Sequence, residues 1–304
     1  MAADGGTKAI LAALAANLGL AITKFIAFLL TKSSAMLAES VHSVADSGNQ
    51  ILLLVGGKRA KREATPRHPF GYSRARYYYA FLVAVVLFTV GGLYALYESW
   101  HKFQHPEPIE SWHWVPVTVL SVGIVLEGLS FRTAIVESNK VRGRQGWASF
   151  IKRSRSPELP VILLEDLAAL LGLVFALVGV SMTLITNDGI WDAASTAAIG
   201  LLLVVVAIVL AIETKSLLMG ESATVEDLAK IDAAFVDAGI DDVIHLRTMH
   251  LGPEEILVAA KVGLPPQISM TKAAALINDA ETRIREAVPA AKRIYLEPDI
   301  RSHS

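Results

Sequence analysis

A histidine and an aspartate stand four residues apart, at His42 and Asp46, inside a stretch from Ala35 to Val55 that is otherwise mostly apolar. On a helix, positions i and i+4 lie one above the other on the same face. A neutral imidazole and a carboxylate placed this way form half a coordination shell for a divalent metal. They are also expensive in lipid: an ionisable group at the bilayer centre costs roughly 2.5–3.5 kcal/mol even on a lenient insertion scale. Glu39, Asn49 and Gln50 extend the polar stripe. The plain alternative is polar glue between helices, a task that small or amide residues do more cheaply. A second apolar stretch, Val161 to Gly172, holds two adjacent carboxylates, Glu165 and Asp166. Adjacent helical residues point about 100° apart. Both face one cleft only if it spans a wide arc; otherwise one is a ligand and the other a second ligand, a proton carrier or a structural partner. Two bare carboxylates repel each other, and a bound dication removes that cost. Glu127 is a further intramembrane acid, open to proton relay, pairing with Arg132 or snorkelling. Asn17 reads as helix glue.

These residues need membrane helices to position them. The 304-residue chain is 53% hydrophobic and 19% charged, less charge than a soluble domain of this size carries. Net charge is −1, which gives no basis for bulk nucleic-acid binding. With no cysteine, disulfides and thiolate metal sites are excluded, so a metal site must use His, Asp and Glu. Six segments approach the length of a bilayer span, at about 9–30, 35–55, 77–97, 114–131, 160–185 and 193–212. The first is too long for a signal-peptide core. Basic residues concentrate after the second segment (Lys58, Arg59, Lys61, Arg62, Arg67, Arg74, Arg76) and after the fourth (Lys140, Arg142, Arg144, Lys152, Arg153, Arg155). The third-to-fourth loop has Lys102 against Glu98, Glu107 and Glu110, and the fifth-to-sixth has only Asn187, Asp188 and Asp192. The positive-inside rule then puts both termini in the cytoplasm. Tyr77, Tyr78 and Tyr79 at one boundary and Trp100, Trp112 and Trp114 at the other read as interfacial anchors.

Beyond Ile212 the composition changes, which divides the chain into a six-helix transmembrane domain over 1–212 and a small α+β domain over 213–304. Thr224 starts a helix with Glu226 and Asp227 in its first turn, running to about Ala238 and stopping at Gly239. Val243 to His250 and Ile256 to Val262 read as strands around a Gly252-Pro253 turn, Ser269 caps a helix to about Ala287, and Ile294 to Leu296 is a last strand. The order α-β-β-α-β predicts helices on one sheet face, a ferredoxin-like arrangement. Its small core makes dimerisation useful.

With these residues in view, the whole chain resembles the cation diffusion facilitator family of divalent-metal/proton antiporters. The match is carried by six helices, cytoplasmic termini, the string Ser33-Ser34-Ala35-Met36-Leu37-Ala38-Glu39-Ser40-Val41-His42-Ser43-Val44-Ala45-Asp46-Ser47, an acidic motif in the fifth helix and the C-terminal α-β-β-α-β order. The resemblance implies that His42 and Asp46 bind the transported ion, and a histidine at the first position is similar to zinc-preferring members. The fifth helix departs from the usual pattern: with Asp166 as its Asp, the position four residues earlier is Ile162, which cannot ligate, and Glu165 stands in. The Leu-Leu-Glu-Asp string resembles one branch of the family, the one that includes a mitochondrial zinc transporter of animals. In the loop after helix two, His68 matches the first histidine of a second family site, but Tyr72 replaces the second. In the C-terminal domain, His245, Glu297 and Asp299 fall at positions that in relatives hold metal, with Ala260 at a strand ligand position and His250 nearby.

The expected function is export of a divalent cation in exchange for protons. Zn²⁺ comes first, with Mn²⁺, Fe²⁺ or Co²⁺ accepted by an oxygen-rich set. His42, Asp46 and Asp166 would bind it, completed by Glu165 or water, with no organic cofactor. Imidazole titrates near roughly pH 6.5, which makes His42 the natural exchangeable proton carrier. A homodimer through the C-terminal domains is expected, and a short chain without a transit signal is expected in the plasma membrane. Three rivals stand beside this reading. An intramembrane enzyme lacks support from any His-Glu-x-x-His or Gly-x-Ser-x-Gly string. A non-transporting membrane metal sensor or scaffold would bind metal in the C-terminal domain. A passive channel would conduct without a pH gradient.

Overall fold

The apolar runs of the sequence become long helices. The computed structural model describes residues 2–106, 108–109 and 111–300, with side chains from residue 17 onward; Glu107 and Glu110 lie outside the described residues. Helix α1 is Ala2–Thr31 and α2 is Ser34–Ala60. α3 is Ala75–Gln104 and α4 is Trp114–Arg142. A short helix α5, Trp147–Arg153, precedes α6, Glu158–Thr186, and α7, Ile190–Met219. Among the described residues, α3, α4, α6 and α7 are long and apolar enough to cross a membrane. The helices outrun the apolar segments of the sequence because hydropathy marks a hydrocarbon zone, whereas a helix ends only where its backbone does. α5 lies in what reads from sequence as a basic loop.

Two close backbone approaches set the packing. The middle of α3, Leu87–Leu93, is π-helical. A Cβ on Gly92 would meet the Val204 side chain at 2.7 Å, and one on Gly200 would meet the Leu96 backbone nitrogen at 2.9 Å. Small residues thus let α3 and α7 meet nearly backbone to backbone. Behind them a shared core gathers Leu87, Leu120, Leu173, Ile199, Leu203 and Leu210. Tyr77 and Tyr79 are buried in the protein, which corrects the expectation that they anchor at an interface; Tyr78 is exposed, as are Trp100, Trp112 and Trp114.

The chain divides into two compact units. One comprises residues 1–57 and 78–214, the other residues 58–77 and 215–304. In the second unit α8 (Val225–Asp237) starts at Thr224, whose side chain accepts from the Asp227 N–H. α9 (Met270–Ala287) is capped in the same way by Ser269. Strands β1 (Val243–Gly252), β2 (Glu255–Gly263) and β3 (Arg293–Asp299) form one sheet among the described residues, in order β1-β2-β3. β1 and β2 are antiparallel, β2 and β3 parallel. Ile256, Val258, Ala260 and Val262 of β2 alternate onto one face and pack with Ile231 and Phe235 of α8 and Ile284 of α9. The segment 58–77 joins this unit: Ser73 donates to Glu255 at 2.5 Å, Arg76 pairs with Glu254 at 3.5 Å, and Gly252 lies against Ser73.

Candidate functional site

The ligand-type residues of α2 stand on a helix that begins against a carboxylate from α7. Asp192 is 1% exposed, and its oxygens accept from Ser33 Oγ (2.6 Å), the Ser34 N–H (2.6 Å), Ser34 Oγ (2.9 Å) and the Ala35 N–H (3.4 Å). α2 carries no acidic residue in its own first turn, so Asp192 satisfies the orphan amides and faces the positive end of the helix dipole. From sequence Asp192 reads as loop charge; it lies instead in the first turn of α7, buried.

Two turns along, the stripe opens. His42 is 1% exposed, with Nε2 at 3.6 Å from Asp46 Oδ2. Among the described residues, neither ring nitrogen of His42 has a hydrogen-bond partner, and neither do Glu39 Oε1, Asp46 Oδ1, Asn49 Oδ1 and Gln50 Oε1. All six are buried atoms of one helix. Orphaned buried polar atoms each cost about 1–3 kcal/mol, and native structures hold few of them.

α6 faces this stripe. Asn49 Nδ2 donates to Glu165 Oε1 at 2.7 Å, and a Cβ on Gly172 would meet Glu39 Oε1 at 2.7 Å. The two carboxylates of α6 diverge: Glu165 is buried toward α2, while Asp166 accepts from Ser130 Oγ of α4 at 2.9 Å. Both lie within electrostatic reach of Asp46. Glu127 of α4 lies within electrostatic reach of Lys24, Asp46, Asp166 and His42. Among the described residues, no three His, Asp or Glu side chains converge closely enough to hold an ion.

Sequence reasoning missed Lys24. It sits inside the first apolar segment, 1% exposed, with Nζ donating to Glu39 Oε2 at 3.0 Å and to Ser43 Oγ at 2.8 Å. A lone lysine in an apolar span is itself a signal, but one charge among twenty neighbours leaves hydropathy unchanged.

The secondary positions stay apart. His68 is exposed and lies tilted against Tyr72, with ring centroids 4.6 Å apart and the planes at 59°. His245 is exposed on β1, opposite Lys261 in register. The Lys261 ammonium lies 2.8 Å from Asp299 and 3.4 Å from Glu297. The hydrogen bond from Lys261 holds the Asp299 carboxyl below the usual range, and the bonds to Asp299 and then Glu297 raise the Lys261 ammonium. Ala260 points into the core, and His250 Nδ1 is 3.2 Å from the Gly252 carbonyl.

Long apolar helices with a buried ionisable stripe beside them define a membrane protein. Residues 10–219 match the cation efflux transmembrane domain, and the chain belongs to that family, the cation diffusion facilitators. It is 30% identical over 261 residues to the mitochondrial proton-coupled zinc antiporter SLC30A9 of Mus musculus, covering 85% of this chain and 46% of the relative. It is 27% identical over 265 residues to metal tolerance protein C4 of Arabidopsis thaliana, covering 86% and 58%. Against the metal cation efflux system protein CzcD of Cupriavidus metallidurans it is 30% identical over 128 residues, covering 42% and 40%. The chain spans about half the length of the first two of these curated relatives.

Proposed function

We propose that this protein is a secondary transporter that exports a divalent metal cation, Zn²⁺ foremost, from the cytoplasm in exchange for protons. The observation that carries the reading is the run of unpartnered buried atoms on α2, from Glu39 through His42, Asp46 and Asn49 to Gln50. All six are oxygens or nitrogens of the kind that ligate borderline and hard cations, and α6 sets Glu165 against them.

His42 and Asp46 take the cation from one side and Asp166 from the other, with Glu165 or water completing the shell. A full shell requires Asp166 to give up Ser130 of α4 and turn toward α2, and a relative shift of the helices that allows this is the rocking step of alternating access about a midplane site. Cation binding needs deprotonated ligands, so protons arriving from outside displace the metal, and their loss to the cytoplasm reloads the site. In this reading six helices cross the membrane. α1 and α2, with 30 and 27 residues, are long enough at about 1.5 Å per residue; the polar stripe lowers the hydropathy of α2. In the same reading the basic connections after α2 and α4 support cytoplasmic termini, the membrane is the plasma membrane, and the C-terminal α+β domain pairs two protomers. The names of the relatives, a proton-coupled zinc antiporter and a metal cation efflux protein, support the same class. The sensor alternative needs ligands in the C-terminal domain, where Lys261 occupies the space between Glu297 and Asp299.

The test is metal flux into proteoliposomes under an imposed pH gradient, comparing Zn²⁺, Mn²⁺, Fe²⁺ and Co²⁺ for wild type and Asp46→Ala. Gradient-driven flux that disappears in Asp46→Ala is expected. Unchanged flux in that variant sinks the site, and metal binding without flux for any cation moves the protein to the sensor class.

A further inference from the structure

The proposed transport leaves one buried charge pair unused. Lys24 of α1 and Glu39 of α2 are 1% and 0% exposed and 3.0 Å apart. Glu39 lies three residues before His42, close to one helical turn. Lys24 spends a second hydrogen bond on Ser43, the residue after His42. The ammonium is thus tethered beside the ligand stripe from a different helix. Among the described residues only one Glu39 oxygen is engaged; the other, Oε1, is buried without a partner and lies where Gly172 of α6 leaves room for it. A pair whose only task was to lock α1 to α2 would be better served by apolar packing, because desolvating two charges offsets their attraction. His42 and Asp46 both lie within electrostatic reach of Lys24 and of Glu39.

We propose that the Lys24–Glu39 pair sets the affinity of the cation site, with Lys24 acting as a built-in competing cation that keeps the site weak enough to release its cargo. The inference rests on the transport reading above. Its physical content is a pair of opposite signs. Removing the lysine leaves a buried carboxylate one turn from His42, which attracts a dication. Removing the carboxylate leaves a buried ammonium at the same place, which repels one. In a water-poor interior such charges act strongly across several ångströms. Neither residue needs to touch the metal, so both are positioning residues for charge.

The experiment is calorimetric titration of Zn²⁺ into the purified full-length chain, for Lys24→Met, Glu39→Gln and the double variant, with flux measured in parallel. Lys24→Met is expected to bind Zn²⁺ about tenfold tighter and Glu39→Gln about tenfold weaker, with the double variant returning close to wild type. Lys24→Met should also lower maximal flux while lowering the half-saturating concentration, since release becomes slow. A purely structural pair would weaken binding in both single variants, and that result, or no change in either, overturns the proposal. Should a single variant fail to fold, the exchanged pair Lys24→Glu with Glu39→Lys keeps the ion pair while moving the ammonium onto α2; it is expected to bind Zn²⁺ more than tenfold weaker, and equal affinity overturns the proposal. Asp46→Ala separates the two levels. If that variant still binds and carries Zn²⁺, the site reading itself is wrong; if it fails while Lys24→Met and Glu39→Gln shift in the same direction or not at all, only the affinity-setting role is lost.

Discussion

The two ends of the buried polar surface of α2 treat their hydrogen bonds in opposite ways. At its start, Ser33, Ser34 and the first amides all reach the carboxylate of Asp192. Farther along, Glu39, His42, Asp46, Asn49 and Gln50 present buried atoms with no hydrogen-bond partner among the described residues. Both clusters come from one helix and are shielded from water, so burial alone does not explain the contrast. A satisfied cluster is a fastening, and its partners are supplied by the fold. A cluster left unsatisfied by the fold costs stability that only an exchangeable partner, water, proton or cation, can restore.

That contrast predicts different failures for the two ends. The largest effect belongs to the open end: His42→Ala is expected to reduce metal flux to the level of empty liposomes while thermal stability holds or rises, because a costly buried group is removed. Retained flux would erase the distinction. At the fastened end, Asp192→Ala should lower unfolding stability by about 2–4 kcal/mol through the loss of the α2 cap and the orphaned serines, with flux per folded molecule little changed. Unfolding in detergent followed by circular dichroism reads the first quantity. Between the two lies Glu165→Gln, which keeps an acceptor for Asn49 but loses the charge; an approximately tenfold weaker metal affinity, about 1.4 kcal/mol, is expected.

The smallest effect belongs to a third cluster, exposed on the C-terminal sheet. Lys261→Ala removes the hydrogen bonds that lower Asp299 and raise Lys261. A lowered carboxyl stabilises above its unfolded value and loses that contribution as pH falls through its folded value; a raised ammonium stabilises below its unfolded value and loses it as pH rises through its folded value. The window therefore spans the interval between the ordinary values of 3.8 and 10.5 and extends slightly past each. Melting temperature against pH should show a small gap between wild type and Lys261→Ala inside that window and none outside it, and solvent screening keeps the gap well below that of Asp192→Ala.

Much of this was legible in the sequence, and the failures are specific. His42, Asp46, Glu165 and Asp166 stand out because ionisable groups in apolar runs need a reason. The C-terminal element order was legible because Thr224, Gly239 and Ser269 are local signals that act within a turn of themselves. The directions of Glu165 and Asp166 were not, since adjacent helical residues differ by about 100° and only the placement of Asn49 and Ser130 decides which way each turns. Lys24 and Asp192 were missed for a related reason. Their partners, Glu39 and Ser33–Ser34, lie 15 and about 159 residues away, and no periodicity within one segment reports a contact made by another.

The segment 58–77 carries a consequence for modularity. Because it folds with residues 215–304, through Ser73 against Glu255 and Arg76 against Glu254, the second unit is discontinuous in sequence and joined to the first by three chain crossings. A truncation after Thr214 would therefore not remove a self-contained appendage. It would strip the connection between α2 and α3 of the hairpin it leans on, and a C-terminal fragment supplied in trans would lack a piece of its own surface. Exchange of this unit between relatives would have to carry both segments together.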